Sequence, residues 1–242
     1  MNYGVILASG GGTRVKSINV PKQYYEIDGV PIIIYTLKQM LSVKLFDVIY
    51  IAINEAYNDM MNNYLAKFID KKDLEKIEIV YGGKERIDTI HNVIAEISKR
   101  NINDNDVIVI HDAVRPFVTS KILNDSVKYA REYGATVAAV PAADTILVSD
   151  HGEYVESIPP RRTIYKGQAP DSFNLKKLIE LENNLTDEQK SHITGTSQIC
   201  TMNNYPIKMI PGDDINFKIT TDSDLKIAID IILNNKEGLD NE

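Results

Sequence analysis

Short apolar runs alternate with longer amphipathic stretches, and this alternation constrains the fold more than any other feature of the sequence. The apolar runs have typical strand lengths, and the stretches between them carry apolar residues at three- and four-residue spacing. Such alternation predicts a Rossmann-like α/β fold: a mostly parallel sheet with helices on both faces and ligands at the carboxyl ends of the strands. The predicted strands are 2–8, 48–53, 77–81, 107–111 and 135–140, and the predicted helices are 31–41, 56–69, 87–98 and 119–133.

The alternation breaks after Pro141. Two short β-like runs flank a turn at His151-Gly152, and the pair Pro159-Pro160 cannot continue a strand ladder. Residues 142–163 are therefore predicted to form a β-hairpin arm that projects from the sheet. Because an exposed hairpin edge invites pairing with another chain, we expect a homodimer through this arm.

The β/α pattern resumes after the arm. It predicts a strand at 164–168, helices at about 175–185 and 197–202, a strand at 207–210, and a last helix capped by Thr221 or Asp222. At roughly 100 to 200 residues per domain, the length allows one domain or two. No repeat or low-complexity linker divides the chain, so a single domain over residues 1–242 is predicted.

The charge balance, the length of the apolar runs and the cysteine content each argue against particular classes of protein. The chain has 27 Lys plus Arg against 34 Asp plus Glu, a net charge of −7, which argues against a nucleic-acid partner. No apolar run approaches the ~20 residues that cross a bilayer, so no membrane partner is expected. The single cysteine, Cys200, cannot form an internal disulfide, and a reducing, cytoplasmic location is predicted.

A glycine cluster, Ser9-Gly10-Gly11-Gly12-Thr13-Arg14, follows the first predicted strand. Glycines let backbone N–H groups approach phosphate oxygens, and Arg14 and Lys22 flank the cluster with positive charge, which favours a polyphosphate ligand. The cluster lacks the end of a Walker A loop and has Val15 in place of the third glycine of a dinucleotide fingerprint. A plain turn and an NAD-type loop remain as alternatives.

Asp112 and Lys218 are further candidates. Asp112 follows the fourth predicted strand, where a carboxylate would either hold Mg²⁺ against phosphates or cap the following turn. Lys218 lies between apolar neighbours and would be either a site cation or a solvated residue on a strand face. The four histidines lack metal-ligand spacing, and no Ser/His/Asp arrangement stands out, which excludes zinc chemistry and hydrolytic triads.

With these segments in order, the chain resembles the cytidylyltransferases that activate sugar-alcohol phosphates. These are the 2-C-methyl-D-erythritol 4-phosphate cytidylyltransferases of isoprenoid biosynthesis and the D-ribitol-5-phosphate cytidylyltransferases of teichoic acid and capsule synthesis. The similarity runs from residue 3 to about residue 231 and implies a nucleotidyltransferase fold. Five blocks in family order carry it: 7–14 with 21–23, 82–89, 112–117, Asp144-Thr145 with Arg161, and 216–221.

The resemblance implies a role for each block. The implied catalytic cations are Arg14, Lys22 and Lys218. Gly83 and Thr89 would meet the cytosine ring, within a nucleotide-binding set of Ala8, Ser9, Gly10, Gly11, Gly12, Thr13, Gly83, Arg86 and Thr89. The arm would reach the acceptor partly across the dimer, within an acceptor-binding set of Asp112, Arg115, Asp144, Thr145, Arg161 and Thr194. Asp112 is also the implied Mg²⁺ ligand.

Smaller differences point to the acceptor. Ala113-Val114, Thr89 and the run Tyr165-Lys166-Gly167-Gln168 resemble the ribitol-phosphate branch more than the erythritol branch. Two departures remove polar groups near the expected acceptor pocket: the usual Gln-Thr-Pro-Gln reads Gln168-Ala169-Pro170-Asp171, and a usual Thr-Asp pair reads Thr194-Gly195. D-Ribitol 5-phosphate is the predicted acceptor, with 2-C-methyl-D-erythritol 4-phosphate as the alternative and another polyol or sugar phosphate left open.

The implied reaction joins CTP to a polyol phosphate and gives a CDP-polyol and pyrophosphate, with Mg²⁺ as cofactor. Because the acceptor phosphate is already ionised, catalysis would consist of positioning and charge neutralisation rather than general-base chemistry. We expect six cations to converge on one cleft in spite of the acidic net charge: Arg14, Lys22, Arg86, Arg115, Arg161 and Lys218. The competing class is a non-catalytic nucleotide-binding domain.

Overall fold

The alternating runs fold as a seven-stranded sheet with helices on both faces. The computed structural model describes residues 1–11, 17–18 and 20–237, with the backbone alone for 235–237. The strands are β1 (Asn2–Ala8), β2 (Glu26–Ile27), β3 (Val30–Pro31), β4 (Val48–Ile53), β5 (Ile77–Tyr81), β6 (Val107–Asp112), β7 (Ala135–Pro141), β8 (Tyr165–Asn174) and β9 (Lys208–Pro211). The helices are α1 (Ile32–Ser42), α2 (Asn58–Phe68), α3 (Lys71–Leu74), α4 (Arg86–Ile97), α5 (Ser120–Tyr133), α6 (Leu175–Asn183), α7 (Asp187–Ser191), α8 (Gln198–Met202) and α9 (Asp222–Glu237), with 3₁₀ turns at Lys22–Tyr24, Glu55–Tyr57 and Arg161–Thr163.

The order of the strands places a ligand site between β1 and β6. The order is β5-β4-β1-β6-β8-β7-β9, in which β8 is antiparallel to both neighbours and the other pairs are parallel. From β1 the chain moves outward through β4 to β5 and then returns to place β6 on the other side of β1. Ligands bind open α/β sheets where the strand order reverses in this way, beyond the carboxyl ends of the strands. The predicted fold class is confirmed.

The central strands are buried on both faces because helices cover both sides of the sheet. Along β4, Ile49 and Ile51 lie in the core that also contains residues of α1, α2 and α5. Val48 and Tyr50 lie in the opposite core, with residues of α4, α6 and α8. This alternation follows the two-residue period of a strand, and it explains why β4 is a continuous apolar run in the sequence.

Side-chain caps begin two of the predicted helices. The Thr119 hydroxyl accepts a hydrogen bond from the Ile122 N–H at 3.3 Å at the start of α5. The Thr221 hydroxyl accepts one from the Asp224 N–H at 3.2 Å and so caps α9, with Asp222 inside the first turn. Within the described ranges, no helix is long and apolar enough to cross a bilayer.

Two of the predicted segments take a different form in the structure. The strand predicted at 164–168 continues to Asn174, because Asp171 and Ser172 are buried between β6 and β7 although their sequence suggests a turn. The arm is less regular than a hairpin: one bridge, between Val148 and Ser157, joins its two sides. A two-stranded ribbon is marginally stable unless its apolar face is packed, and most of the large apolar side chains of the arm are exposed.

Candidate functional site

A cavity of about 430 Å³ opens at the carboxyl ends of β1 and β6, where the strand order reverses. We call it the first cavity. Its wall includes Ser9, Gly10 and Gly11 after β1, Gly83 after β5, and Asp112 at the end of β6. The first cavity therefore occupies the position that the topology predicts for a ligand.

Two glycines let the loop after β5 lie against the loop after β1. A Cβ atom at Gly82 would come within 2.4 Å of Ser9, and a Cβ atom at Gly83 within 2.2 Å of Asp88. Thr89, which is 1% exposed, joins the two loops, because its hydroxyl accepts from the Gly83 N–H at 3.1 Å and lies 3.2 Å from the Ser9 hydroxyl. A larger residue at Gly82 would therefore push this loop away from the loop after β1, and one at Gly83 would push it away from the start of α4.

Gln23 braces the loop after β1 from its other side. Its Nε2 atom donates to the backbone oxygens of Ala8 and Gly10, each at 2.8 Å. Lys22 precedes it in a 3₁₀ turn, lines the first cavity and is 6% exposed. The turn therefore supplies both a brace for the loop and a cation for the cavity.

Asp112 lies at the centre of three cations. Its Oδ1 atom is 3.1 Å from Arg86 Nη1, and its Oδ2 atom is 3.1 Å from both Arg115 Nε and Lys218 Nζ. Burial alone would raise the pKa of this carboxyl, but the charges of Lys218, Arg86 and Arg115 outweigh burial and hold the pKa well below its usual range. Asp112 is therefore ionised at neutral pH and orients all three cations.

Backbone contacts bring Lys218 to this cluster. Arg115 Nη1 donates to the backbone oxygen of Asn216 at 2.7 Å, and the Ile219 N–H donates to the backbone oxygen of Val114 at 3.0 Å. These bonds tie the segment after β9 to the segment after β6. Lys218 lies in an extended loop, rather than on a strand face, and its side chain is 33% exposed.

His111 orients Arg115 without adding a charge. Burial lowers the pKa of His111 to about 4, so the ring is neutral at neutral pH. Its Nε2 atom lies 3.1 Å from the backbone oxygen of Arg115 and donates to it, because a carbonyl oxygen can only accept. Among the described residues, its Nδ1 atom has no hydrogen-bond partner.

A second cavity of about 270 Å³ shares Arg86, Asp112 and Lys218 with the first. Arg115 and Asp171 also line it, together with small or polar residues such as Gly167, Ala169, Thr194 and Gly195. Five cationic side chains and three carboxylates line the two cavities. The local charge is therefore positive although the chain as a whole is acidic, and two anionic ligands can meet at the shared residues.

Asp171 is a buried carboxyl in the wall of the second cavity, and it was not among the residues predicted from sequence. It is 6% exposed, and burial raises its pKa to about 6, an effect that Asp112 reinforces and Arg86 opposes. The Thr196 hydroxyl is its hydrogen-bond partner and lies 3.4 Å from Arg86 Nη2. Asp171 is therefore linked to the cation cluster through Thr196.

The two cavities bring together most of the site residues predicted from sequence. Lining the first are Ser9, Gly10, Gly11, Lys22, Gly83, Arg86, Thr89, Asp112 and Lys218. Lining the second are Arg86, Asp112, Arg115, Thr194 and Lys218. Ala8 contributes its backbone oxygen to the Gln23 brace. Outside the described residues lie Gly12, Thr13 and Arg14.

The predicted arm residues Asp144, Thr145 and Arg161 line neither of these cavities in the described chain. Arg161 Nη2 instead donates to the Thr145 hydroxyl at 3.3 Å, and all three side chains are exposed. The described chain thus leaves these residues accessible but does not assemble them with the cation cluster.

The described residues do not form a metal site by themselves. No group of three or more His, Cys, Asp or Glu side chains in the described ranges is arranged to hold an ion. Asp112, the predicted Mg²⁺ ligand, has both oxygens in ion pairs, so a metal ion there would meet three positive charges. A divalent cation would need most of its oxygen ligands from a substrate, which Mg²⁺ often obtains from phosphates.

Gln23, Asn216 and Asp171 shape the site but carry weak signals in the sequence. Asn216 Nδ2 donates to the backbone oxygen of Ala169 at 2.7 Å, a contact between segments that are distant along the chain. A carboxylate within a buried strand would mark Asp171 as a candidate site residue. However, Pro170 gives residues 169–173 the composition of a turn, so the sequence does not show that they are buried.

Comparison with known proteins points to one family. A sequence model described as 2-C-methyl-D-erythritol 4-phosphate cytidylyltransferase matches residues 3–235. A 4-diphosphocytidyl-2C-methyl-D-erythritol synthase from Anaerococcus prevotii is 24% identical, with a TM-score of 0.78 over 96% of this chain and 98% of that one. The 2-C-methyl-D-erythritol 4-phosphate cytidylyltransferase of Francisella tularensis is 26% identical, with a TM-score of 0.77 over 94% and 97%. The enzyme of the same name from Thermus thermophilus is 21% identical, with a TM-score of 0.72 over 96% and 98%.

Proposed function

Because the chain belongs to the 2-C-methyl-D-erythritol 4-phosphate cytidylyltransferase family, we propose that it transfers CMP from CTP to a polyol phosphate and releases pyrophosphate. Membership makes it a nucleotidyltransferase of the CTP:sugar-phosphate type. One observation supports a specific location for the reaction: the two cavities share Arg86, Asp112 and Lys218. A nucleotide in one cavity and an acceptor in the other would meet at these residues.

The first cavity suits the nucleotide. Gly10 and Gly11 expose backbone next to the cavity, and Lys22 supplies a cation within it, a combination that fits a triphosphate. The loop held by Gly83 and Thr89 would lie against the base. The second cavity would take the acceptor, whose phosphate would then approach the α-phosphate of CTP beside Lys218.

The reaction needs charge neutralisation more than proton transfer. An oxygen of the acceptor phosphate forms a bond to the α-phosphorus while the bond from that phosphorus to the β-phosphate breaks, and pyrophosphate leaves. The attacking group is already an anion, so Lys218, Arg86 and Lys22 would offset the repulsion between two anions and the charge that develops on the leaving group. Asp112 and His111 are positioning residues in this proposal.

The proposed acceptor is 2-C-methyl-D-erythritol 4-phosphate. The family and similar structures carry that specificity in their names or products, which supports it ahead of the D-ribitol 5-phosphate expected from the sequence. D-Ribitol 5-phosphate is the second candidate, because the run Tyr165-Lys166-Gly167-Gln168 resembles the ribitol branch, and Gly167 and Gln168 line the second cavity.

The proposal also covers the domain organisation, the pairing of subunits, the metal and the cellular location. The chain acts as one catalytic domain over residues 1–242 and pairs through the arm, where Tyr154 is 81% and Ile158 57% exposed. Asp112 and the phosphate oxygens of CTP would together hold Mg²⁺, which would supply further positive charge, and the described residues offer it few other ligands. A reducing, cytoplasmic setting fits the buried, unpaired Cys200.

Pyrophosphate release tests the function. Purified protein is assayed with CTP and Mg²⁺ against 2-C-methyl-D-erythritol 4-phosphate, D-ribitol 5-phosphate and other polyol phosphates. The proposal expects release with at least one acceptor and the highest kcat/KM for the methylerythritol compound. CTP binding without release for any acceptor would favour a non-catalytic nucleotide-binding domain, and NAD binding would favour the dinucleotide alternative.

A further inference from the structure

Asp171 is a buried ionisable residue of the site that takes no part in the proposed reaction. Asp171 lies in β8, is 6% exposed and lines the second cavity. Thr196 holds its carboxyl by a hydrogen bond, and Arg86 and Arg115 lie near enough to lower its pKa without reversing the effect of burial. A buried carboxylate with so few partners lowers the stability of the native state. Buried ionisable residues with shifted pKa values are concentrated at functional sites.

The chemistry of a carboxylate limits what it can bind in this cavity. When ionised, it accepts hydrogen bonds and repels a phosphate, so its natural ligand in an acceptor is a hydroxyl group. The phosphate of the same acceptor must lie toward Lys218 and Arg86, at the boundary with the first cavity. The arrangement therefore fixes the direction of the acceptor, with the phosphate at the cations and the hydroxyl-bearing chain at Asp171.

The neighbouring residues leave room for such a chain. A Cβ atom at Gly167 would meet nothing within 4 Å, and one at Gly195 would meet only the Ser197 hydroxyl at 3.9 Å. Ala169 adds a small side chain on the same wall. With little side-chain bulk from these residues, a ligand can approach the wall on which Asp171 lies.

We propose that Asp171 is a specificity-determining residue of the acceptor site, whose carboxylate accepts a hydrogen bond from one hydroxyl of the polyol chain. This inference rests on the proposed function. Asp171 selects among polyol phosphates by the presence and position of that hydroxyl, and it does not contact the nucleotide.

The test uses acceptor analogues that each lack one hydroxyl. Wild type, Asp171→Asn and Asp171→Gln are compared at saturating CTP, with Asp104→Asn as the control because Asp104 is an exposed carboxylate paired with Lys176. For wild type, one analogue should lose about tenfold to a hundredfold in kcat/KM relative to the parent acceptor, the range for a hydrogen bond to a charged group. Asp171→Asn should lose a similar factor on the parent acceptor, mainly through KM, and should discriminate much less against that analogue. Asp104→Asn should behave as wild type.

The outcomes separate this inference from the function on which it rests. If wild type releases no pyrophosphate with any acceptor, the proposed function fails. If wild type is active but Asp171→Asn keeps the full discrimination against every analogue, only the role of Asp171 is wrong. A rise in the KM for CTP alone would also overturn it, because it would place Asp171 at the nucleotide. Thermal unfolding of each variant identifies any loss of activity that follows from loss of fold.

Discussion

The Lys218 ammonium lies 3.1 Å from the Asp112 carboxylate, and this ion pair joins the loop after β9 to the end of β6. The same carboxylate holds Arg86 and Arg115, so one anion fixes three cations at the boundary of two cavities. Fixed charges of this kind stabilise a transition state without reorganising when charge develops.

Replacing either site lysine should remove transition-state stabilisation. We expect Lys218→Ala and Lys22→Ala to lower kcat at least about a hundredfold without unfolding the protein. Lys128→Ala is the matched control, because Lys128 is an exposed residue of α5 remote from the cavity linings. Steady-state kinetics with circular dichroism check the result, and near-normal turnover in either variant would remove that lysine from the catalytic role.

Removing the charge of Asp112 should destabilise the protein. Asp112→Asn leaves Arg86, Arg115 and Lys218 without their common anion, and breaking a buried ion pair from one side costs about 3–5 kcal/mol. Urea unfolding at low ionic strength measures the loss. Added pyrophosphate should recover part of it by binding the cations in the native state, which raises the free energy of unfolding. A variant as stable as wild type would contradict the central role of Asp112.

Two glycine variants distinguish close packing, at Gly83 after β5, from ligand contact, at Gly10 after β1. Gly83→Ala should unfold at a lower temperature, because its Cβ atom would clash with Asp88 at 2.2 Å. Gly10→Ala should keep the wild-type melting temperature, because its Cβ atom would meet nothing within 4 Å in the described structure. If Gly10 meets the triphosphate, Gly10→Ala should still raise the KM for CTP. An unchanged KM would show that the loop does not contact the nucleotide at that residue.

Asp171 should make stability depend on pH. Its pKa is raised from 3.8 to about 6 on folding, so the native state binds the proton more tightly than the unfolded state. Its contribution to the free energy of unfolding therefore falls as pH rises from about 4 to about 6. Asp171→Asn should match wild type near pH 4 and exceed it by about 1–3 kcal/mol near pH 7. Urea unfolding at both pH values checks this, and a pH-independent difference would contradict it.

The groups that face Asp171 do not obscure this effect. Asp112, whose pKa is lowered, stays ionised across the window. Cys200 on α8 stays neutral, because burial raises the pKa of its thiol to about 12. Other groups, such as His111, titrate in wild type and variant alike and cancel in the difference.

The arm should complete the site of a partner subunit. Light scattering should give a dimer for wild type and a monomer for Tyr154→Asp combined with Ile158→Asp, which place charge on exposed apolar positions. Mixing Lys218→Ala chains with Arg161→Ala chains should restore about a quarter of wild-type activity, since half of the dimers are mixed and one site in each is intact. An inactive mixture would mean that each arm serves its own chain, and a wild-type monomer would overturn the dimer.

The strands, most helices and their caps could be predicted from the sequence because their signals are local. A continuous apolar run such as 48–53 predicts a buried strand wherever it lies, and Thr119 predicts a helix start from its own chemistry. The parallel sheet follows from the alternation, since helical crossovers connect parallel strands. The sequence therefore also predicts that the glycines after β1 and Asp112 at the end of β6 lie at one edge of the sheet.

The meeting of Lys218 with Asp112, and the burial of Asp171, depended on tertiary structure. Lys218 sits among residues typical of a strand face, and the contacts of its neighbours Asn216 and Ile219 with the segment after β6 bring it to the site. Asp171 follows Pro170, which suggests a turn, yet the pairing of β8 with β6 and β7 buries it. The sequence by itself determined the architecture and the edge where ligands bind, because periodicity and turn chemistry act over a few residues. Only the tertiary structure decided which charges share one cluster, because electrostatic interaction depends on distance in space and on burial, and neither is encoded in spacing along the chain.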